Sequence, residues 1–172
     1  MKRVLITVVV FVLVEAAAVL GYTLSGAYDV SATVEDNPAV AWLLETTRDR
    51  SVETHSAGMK EPADFGNAQM VRAGANHYRE DCQTCHGAPG TYPGPTGKGL
   101  NPEPPKLFGF DPDQPSPAED YWIIMHGIKM TGMPSWKHKY KPEDGWALAA
   151  FLQEFPHVTK EQYQEMTTPE RK

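Results

Sequence analysis

Thiols are scarce in this chain: Cys82 and Cys85 are the only cysteines, and two residues separate them. A long-range disulfide framework is therefore excluded, and the pair points to chemistry rather than scaffolding. Cationic residues are also in short supply, with 16 Lys and Arg against 22 Asp and Glu and a net charge of −6. There is no basic stripe, so nucleic acid is not an expected partner. No internal repeat is evident, and beyond residue 24 the sequence turns rich in proline, glycine and charge. At 172 residues the chain has room for one compact domain plus extras.

What is present begins with a long apolar run. Lys2 and Arg3 precede the stretch Val4 to Leu24, which as a helix is about 30 Å long, the thickness of a hydrocarbon core. The competing reading is a cleaved signal peptide with small residues at Ala16, Ala17 and Ala18. Apolar residues resume at Val19, Leu20, Tyr22 and Leu24, which favours a retained anchor. Either reading exports the remainder of the chain, and the basic N-terminal side keeps that end in the cytoplasm. Glu15 is out of place in such a span, where a carboxylate costs about 2 to 3 kcal/mol. It is protonated, paired with a partner helix, or simply tolerated.

From Asn37 to about His55 a helix is expected, opened by Asp36, Asn37 and Pro38 and carrying Val40, Trp42, Leu43 and Leu44. Its apolar side needs cover from its own domain, the membrane surface or a partner. The stretch Gly58 to Gly66, with Pro62, reads as a linker.

The motif that carries chemistry is Cys82-Gln83-Thr84-Cys85-His86. Two thiols at this spacing can each add across a haem vinyl group, while the adjoining imidazole is delivered to the iron. A dithiol redox pair and half of a zinc site compete with this reading. The zinc site lacks a second ligand pair, and the dithiol reading lacks the strand–helix alternation of a thioredoxin-like sheet.

With the haem box, Gly74 and Tyr78 before it and Phe151 in a later helix, residues 67 to 155 resemble a class I cytochrome c domain. The resemblance implies an all-α fold of three to five short helices, with a small residue at Gly74 admitting the helix from Pro142 to Phe155. Between them the Gly/Pro-rich loop Gly87 to Pro117 would wrap the haem. Pro105-Lys106-Leu107 resembles the family's Pro-x-Leu element, which implies a Pro105 carbonyl accepting the second N–H of His86, with Leu107 at the haem.

The sixth iron ligand is expected within Gly127 to Pro134, where the family's Met-Pro signature falls on Met133-Pro134. Proline biases the preceding residue toward extended backbone, which presents Met133 from a loop. Met130 is the nearest competitor, and His77, His126 or His138 would instead give a bis-imidazole iron. Ser25 to Val30, Ser51-Val52, His86 to Gly90 and Gly127 to Trp136 extend the likeness to membrane-anchored bacterial monohaem cytochromes.

The resulting expectation is an anchor at 1–26, a juxtamembrane helix and linker at 27–66, a haem domain at 67–156 and a tail at 157–172. One covalent haem c, with its iron held by His86 and Met133, would carry single electrons on the periplasmic side of an inner membrane. The role is that of an electron carrier or a subunit of a larger oxidoreductase, with no small-molecule substrate. A haem catalyst or gas sensor with an open sixth position and a haem-free thiol redox protein are the alternatives. Without Lys2, Arg3 and Glu15 the remainder holds 14 basic and 21 acidic residues, a balance of −7. That predicts membrane-associated redox partners with a basic docking face.

Overall fold

The computed structural model describes residues 1–168, and its contacts divide the chain into two units, one from Met1 to Val34 and one from Glu35 onward. The first unit holds α1, Lys2–Ser25, which has no buried residue and is long and apolar enough to cross a membrane. Its aliphatic residues find no cover within this unit, as suits a lipid-facing helix.

The second unit is all-helical. Its elements are α2 (Pro38–Ser56), α3 (Ala68–His77), a π-helical turn at Tyr78–Cys82, α4 (Gln83–His86), α5 (Pro95–Lys98), α6 (Pro117–His126), α7 (Pro142–Glu154), a 3-10 turn at Phe155–His157 and α8 (Lys160–Thr167). Among the described residues there is no strand, only an isolated bridge between Ala88 and Thr91. Much of the proline content is spent on helix starts, where a missing N–H costs nothing: Pro38, Pro95, Pro117 and Pro142 all sit in a first turn. Side-chain caps fix the entries. Asn37 accepts from the Ala39 N–H at 2.9 Å, and Asn67 accepts from the Met70 N–H at 2.8 Å. Ser116 with Glu119, and Thr159 with Gln162, form reciprocal capping boxes.

The core lies where α3 crosses α7. A Cβ on Gly74 would overlap the Ala147 carbonyl and stand 2.8 Å from Phe151 Cβ, so the close crossing expected from the sequence depends on glycine. Tyr78, Leu148, Phe151 and Phe155 are the largest fully buried side chains. The Tyr78 ring lies 5.5 Å from Phe151 and 4.7 Å from Phe155, in tilted and edge-on contacts that aromatic quadrupoles favour. Its hydroxyl is satisfied inside this apolar setting by donating to the Gly87 carbonyl at 2.7 Å.

Two segments are more structured than their composition suggests. Phe65, in the stretch expected as a linker, meets Trp146 edge-on at 5.9 Å. Residues 160–167, expected as tail, form α8, whose buried Tyr163 donates to Gln83 Oε1 at 2.7 Å. Helix α2 is covered over its second half only: Val52 and Ser56 are buried and His55 lies 5.6 Å from Trp122 of α6, whereas Val40, Trp42, Leu43 and Leu44 are exposed.

Candidate haem site

The π turn delivers Cys82, and the single turn of α4 after it carries Cys85 and His86. Both thiols are free and half-buried. Burial, and then the neighbouring Asp81 and Cys85, push the Cys82 thiol up to about 12, so it is not a low-pKa redox thiol. Helix α4 ends at Gly87, whose N–H bonds the Gln83 carbonyl at 2.8 Å, and the chain folds back until the Gly94 N–H reaches the Thr84 carbonyl at 2.8 Å. Here α5 presses against the haem box. A Cβ on Gly97 would stand 2.6 Å from the Cys85 carbonyl oxygen and 2.9 Å from its Cα, closer than side chains tolerate.

His86 is joined to the loop. Its Nδ1 lies 2.8 Å from the Pro105 carbonyl oxygen, and since a carbonyl only accepts, Nδ1 carries the proton. The neutral ring then presents a bare lone pair at Nε2. Burial lowers the His86 pKa, against the opposing pull of the Pro105 bond, and keeps the imidazole neutral. Leu107 and Phe108, just beyond Pro105, pack partly buried against the core, as do Cys82 and Trp136.

Met133 sits in a loop pinned by its own hydrogen bonds. Its N–H donates to Thr131 Oγ1 at 3.1 Å, its carbonyl accepts from the Ile128 N–H at 3.1 Å, and the Thr131 hydroxyl donates to the Ile128 carbonyl at 2.8 Å. The loop closes onto α6 through Ser135 Oγ to the Met125 carbonyl at 2.7 Å and the Trp136 N–H to the Ile124 carbonyl at 3.2 Å. Gly127 makes the closure possible. Its φ of 68° is left-handed, and a Cβ there would stand 2.6 Å from Ser135 N. Met133 is half-buried, whereas Met130 is 88% exposed.

The competing histidines are otherwise engaged or outward. His77 faces Asp144 at 3.4 Å and lies on the Tyr140 ring, and His126 bonds the Trp122 carbonyl at 2.9 Å and stacks on that indole. His138 is exposed. Among the described residues no group of three or more His, Cys, Asp or Glu side chains is placed to hold a metal.

Residues 69–152 match the family model described as cytochrome C oxidase, cbb3-type, subunit III. This is a c-type cytochrome domain. The match spans nearly all of α3, the haem box, the loop, α6 and most of α7, so the α3–α7 crossing and the elements that carry the motif fall within it. No curated protein matches the chain. A cytochrome c domain of this kind holds haem c, covalently bound with its iron, and works in haem-based electron transfer. The residues present fit that group by their chemistry: two free thiols and an imidazole with Nδ1–H occupied and Nε2 bare.

Sequence reasoning missed one contact beside the haem box. Asp81, immediately before Cys82, accepts hydrogen bonds from Tyr140 Oη and Lys139 Nζ. The signal available was only a carboxylate beside the haem box and a tyrosine downstream of Met-Pro, with nothing to pair them.

Proposed function

We propose that Cys82 and Cys85 hold the haem as thioethers, that His86 Nε2 and Met133 Sδ are the two axial ligands, and that the domain passes single electrons between membrane-held redox partners. The observation that carries this reading is the bond from His86 Nδ1 to the Pro105 carbonyl, because it leaves one ring nitrogen free for iron and fixes which one. When bound, the haem supplies a one-electron iron couple. The chain's own residues do the rest. The Pro105 carbonyl orients the imidazole and raises its basicity. The pinned Met133 loop offers a soft, neutral thioether that favours reduced iron and raises the potential. Leu107, Phe108 and Trp136 supply apolar surface that keeps water from a planar apolar group.

In this reading α1 is an uncleaved anchor, Lys2 and Arg3 stay in the cytoplasm, and the domain works in the periplasm as an electron carrier rather than an enzyme. The matched family's description names an oxidase subunit, which supports a place in a membrane oxidoreductase complex. The exported balance of 14 basic to 21 acidic residues supports a partner with a basic docking face. The raised Cys82 pKa speaks against a dithiol redox role.

The test is a visible spectrum of the purified protein before and after acid-acetone extraction, with carbon monoxide added to the reduced form. Colour should survive extraction, disappear in the Cys82→Ser/Cys85→Ser variant, and be unaffected by carbon monoxide. Extractable colour would remove covalent attachment, and a carbon monoxide shift would replace electron carriage with an open-iron function.

A further inference from the structure

We propose that Asp81 is a positioning residue for the Met133 loop, acting through Tyr140 as a clasp between the two sides of the haem site. The inference rests on Met133 as the loop's iron ligand. Asp81 stands in the π turn next to Cys82, on the helix that leads into the imidazole side of the site. Lys139 and Tyr140 close the segment that leaves the methionine side. Both donate to the same Asp81 oxygen, Oδ2.

The segment between Met133 and the clasp has little slack. Trp136 is fixed to α6 through its N–H, and its carbonyl in turn accepts from the Lys139 and Tyr140 N–H groups at 3.0 and 2.9 Å. The Tyr140 ring is buried, 4.7 Å from His77 and 5.8 Å from Trp136. The loop from Gly127 to Ser135 is thus closed on α6 at its base, and Tyr140 ties its exit to the helix that carries Cys82. Without the clasp, the base contacts and the ring contact with His77 remain, but the exit loses its polar tie to the turn that carries Cys82.

The two donors do not contribute equally. Lys139 is half-exposed, so its ion pair is screened by water. Tyr140 Oη meets a carboxylate whose side chain is only 15% exposed, where a charge-assisted bond is strong. The electrostatics keep the bond in place near neutral pH. Burial pushes the Asp81 carboxyl up, but the hydrogen bonds from Lys139 and Tyr140, together with the charges of Lys139 and His77, outweigh it and hold the group below its ordinary range. Burial, and then the bond to Asp81, push the Tyr140 phenol up, so it remains a donor.

Imidazole binding to the oxidised, haem-loaded full chain reads the loop directly, because the added ligand enters only when the methionine has left. Apparent affinity scales with the open fraction. Asp81→Asn and Tyr140→Phe should each tighten apparent imidazole binding about tenfold, the effect of weakening one hydrogen bond to a charged group. Lys139→Gln should change it less than about twofold. The double variant Asp81→Asn/Tyr140→Phe should bind no tighter than the stronger single one, since both act on one bond. Haem content, far-UV circular dichroism and the weak sulfur-to-iron band at the red end of the oxidised spectrum should be retained in each variant without imidazole. A general loss of structure would move these too.

If Met133→Ala leaves the sulfur-to-iron band in place, the ligand reading fails, and this inference with it. If the band depends on Met133 but Asp81→Asn and Tyr140→Phe bind imidazole like the parent, the clasp alone is overturned. Additive effects in the double variant would overturn it as well, and Tyr140→Phe decides the matter if Asp81→Asn does not fold.

Discussion

Asp120 offers the sharpest test of how the helices are held together. It lies on α6 with only 7% of its surface exposed, and its side-chain partner is Gln153 of α7, whose Nε2 donates to Asp120 Oδ2 at 2.8 Å and to the Pro115 carbonyl at 3.0 Å. Burial pushes the Asp120 carboxyl up to about 8, with the Gln153 bond working against the rise and Glu119 adding to it. The unfolded chain titrates the same group near about 3.9. Between these values the folded protein holds one proton more than the unfolded one, so stability falls as pH rises.

The slope is about 1.4 kcal/mol per pH unit, which amounts to about 2 to 3 kcal/mol between pH 5 and pH 7. That is a large share of a total stability of about 5 to 15 kcal/mol. Asp120→Asn keeps an oxygen for Gln153 but cannot ionise. Urea denaturation of parent and variant at pH 5, 6, 7 and 8, monitored by far-UV circular dichroism, should give curves that diverge with rising pH. The variant should gain about 3 kcal/mol relative to the parent from pH 5 to pH 7.5. Parallel curves would refute the reasoning, because they would mean that Asp120 is already ionised in the fold and solvated or paired there.

Other consequences are open to direct measurement. Gly74→Val places a branched side chain against the Ala147 carbonyl and should cost about 3 kcal/mol or more in urea melts, or prevent folding. A change under about 1 kcal/mol would show that α3 and α7 can separate cheaply. Met133→Ala should remove the sulfur-to-iron band, lower the potential and admit carbon monoxide, while Met130→Ala, at an exposed left-handed position, should leave all three nearly unchanged. The opposite pattern would make Met130 the ligand. After carbonate and high-salt washing the haem protein should stay in the membrane with Lys2 and Arg3 in its intact mass; a soluble form beginning at Val19 would refute the anchor.

Those parts of the molecule written in short-range pattern were legible from sequence. The haem box is a five-residue word, Trp146, Leu148, Phe151 and Leu152 fall at helical spacing, and Asn37-Pro38 marks a helix start, so α2 and α7 could be placed, while Gly74 and Tyr78 on α3 came from family likeness. The Pro105 pairing with His86 came from family likeness, not periodicity, because the two residues are joined by an irregular loop. What went unread has physical reasons. Helix α8 has few apolar residues, among them Tyr163 and Met166, and depends on the haem helix for its burial, including the Arg79 bond to the Thr167 carbonyl. Helix α6 went unread because its start at Pro117 adjoins the Gly/Pro-rich loop expected from Gly87 to Pro117. Asp81 and Tyr140 are 59 residues apart, so no local pattern pairs them.

The π turn at Tyr78–Cys82 sets a rule of counting on this helix. In an unbroken α-helix, Val71, Gly74, Ala75, Tyr78, Cys82 and Cys85 would succeed one another along a single side, and the thiols would point where Tyr78 points. A π turn takes up one extra residue, an offset of about 100° for everything after it. Tyr78 is 1% exposed while Cys82, Cys85 and His86 are only half-buried, so the offset separates a side chain committed to the interior from the partly exposed motif. Glu80 is an exposed position in that turn. Replacing Glu80 leaves the register alone, and so does losing one residue together with the π turn, because the missing residue cancels the offset; a regular α turn at the present length would instead swing both thiols by about 100° onto the side of Tyr78.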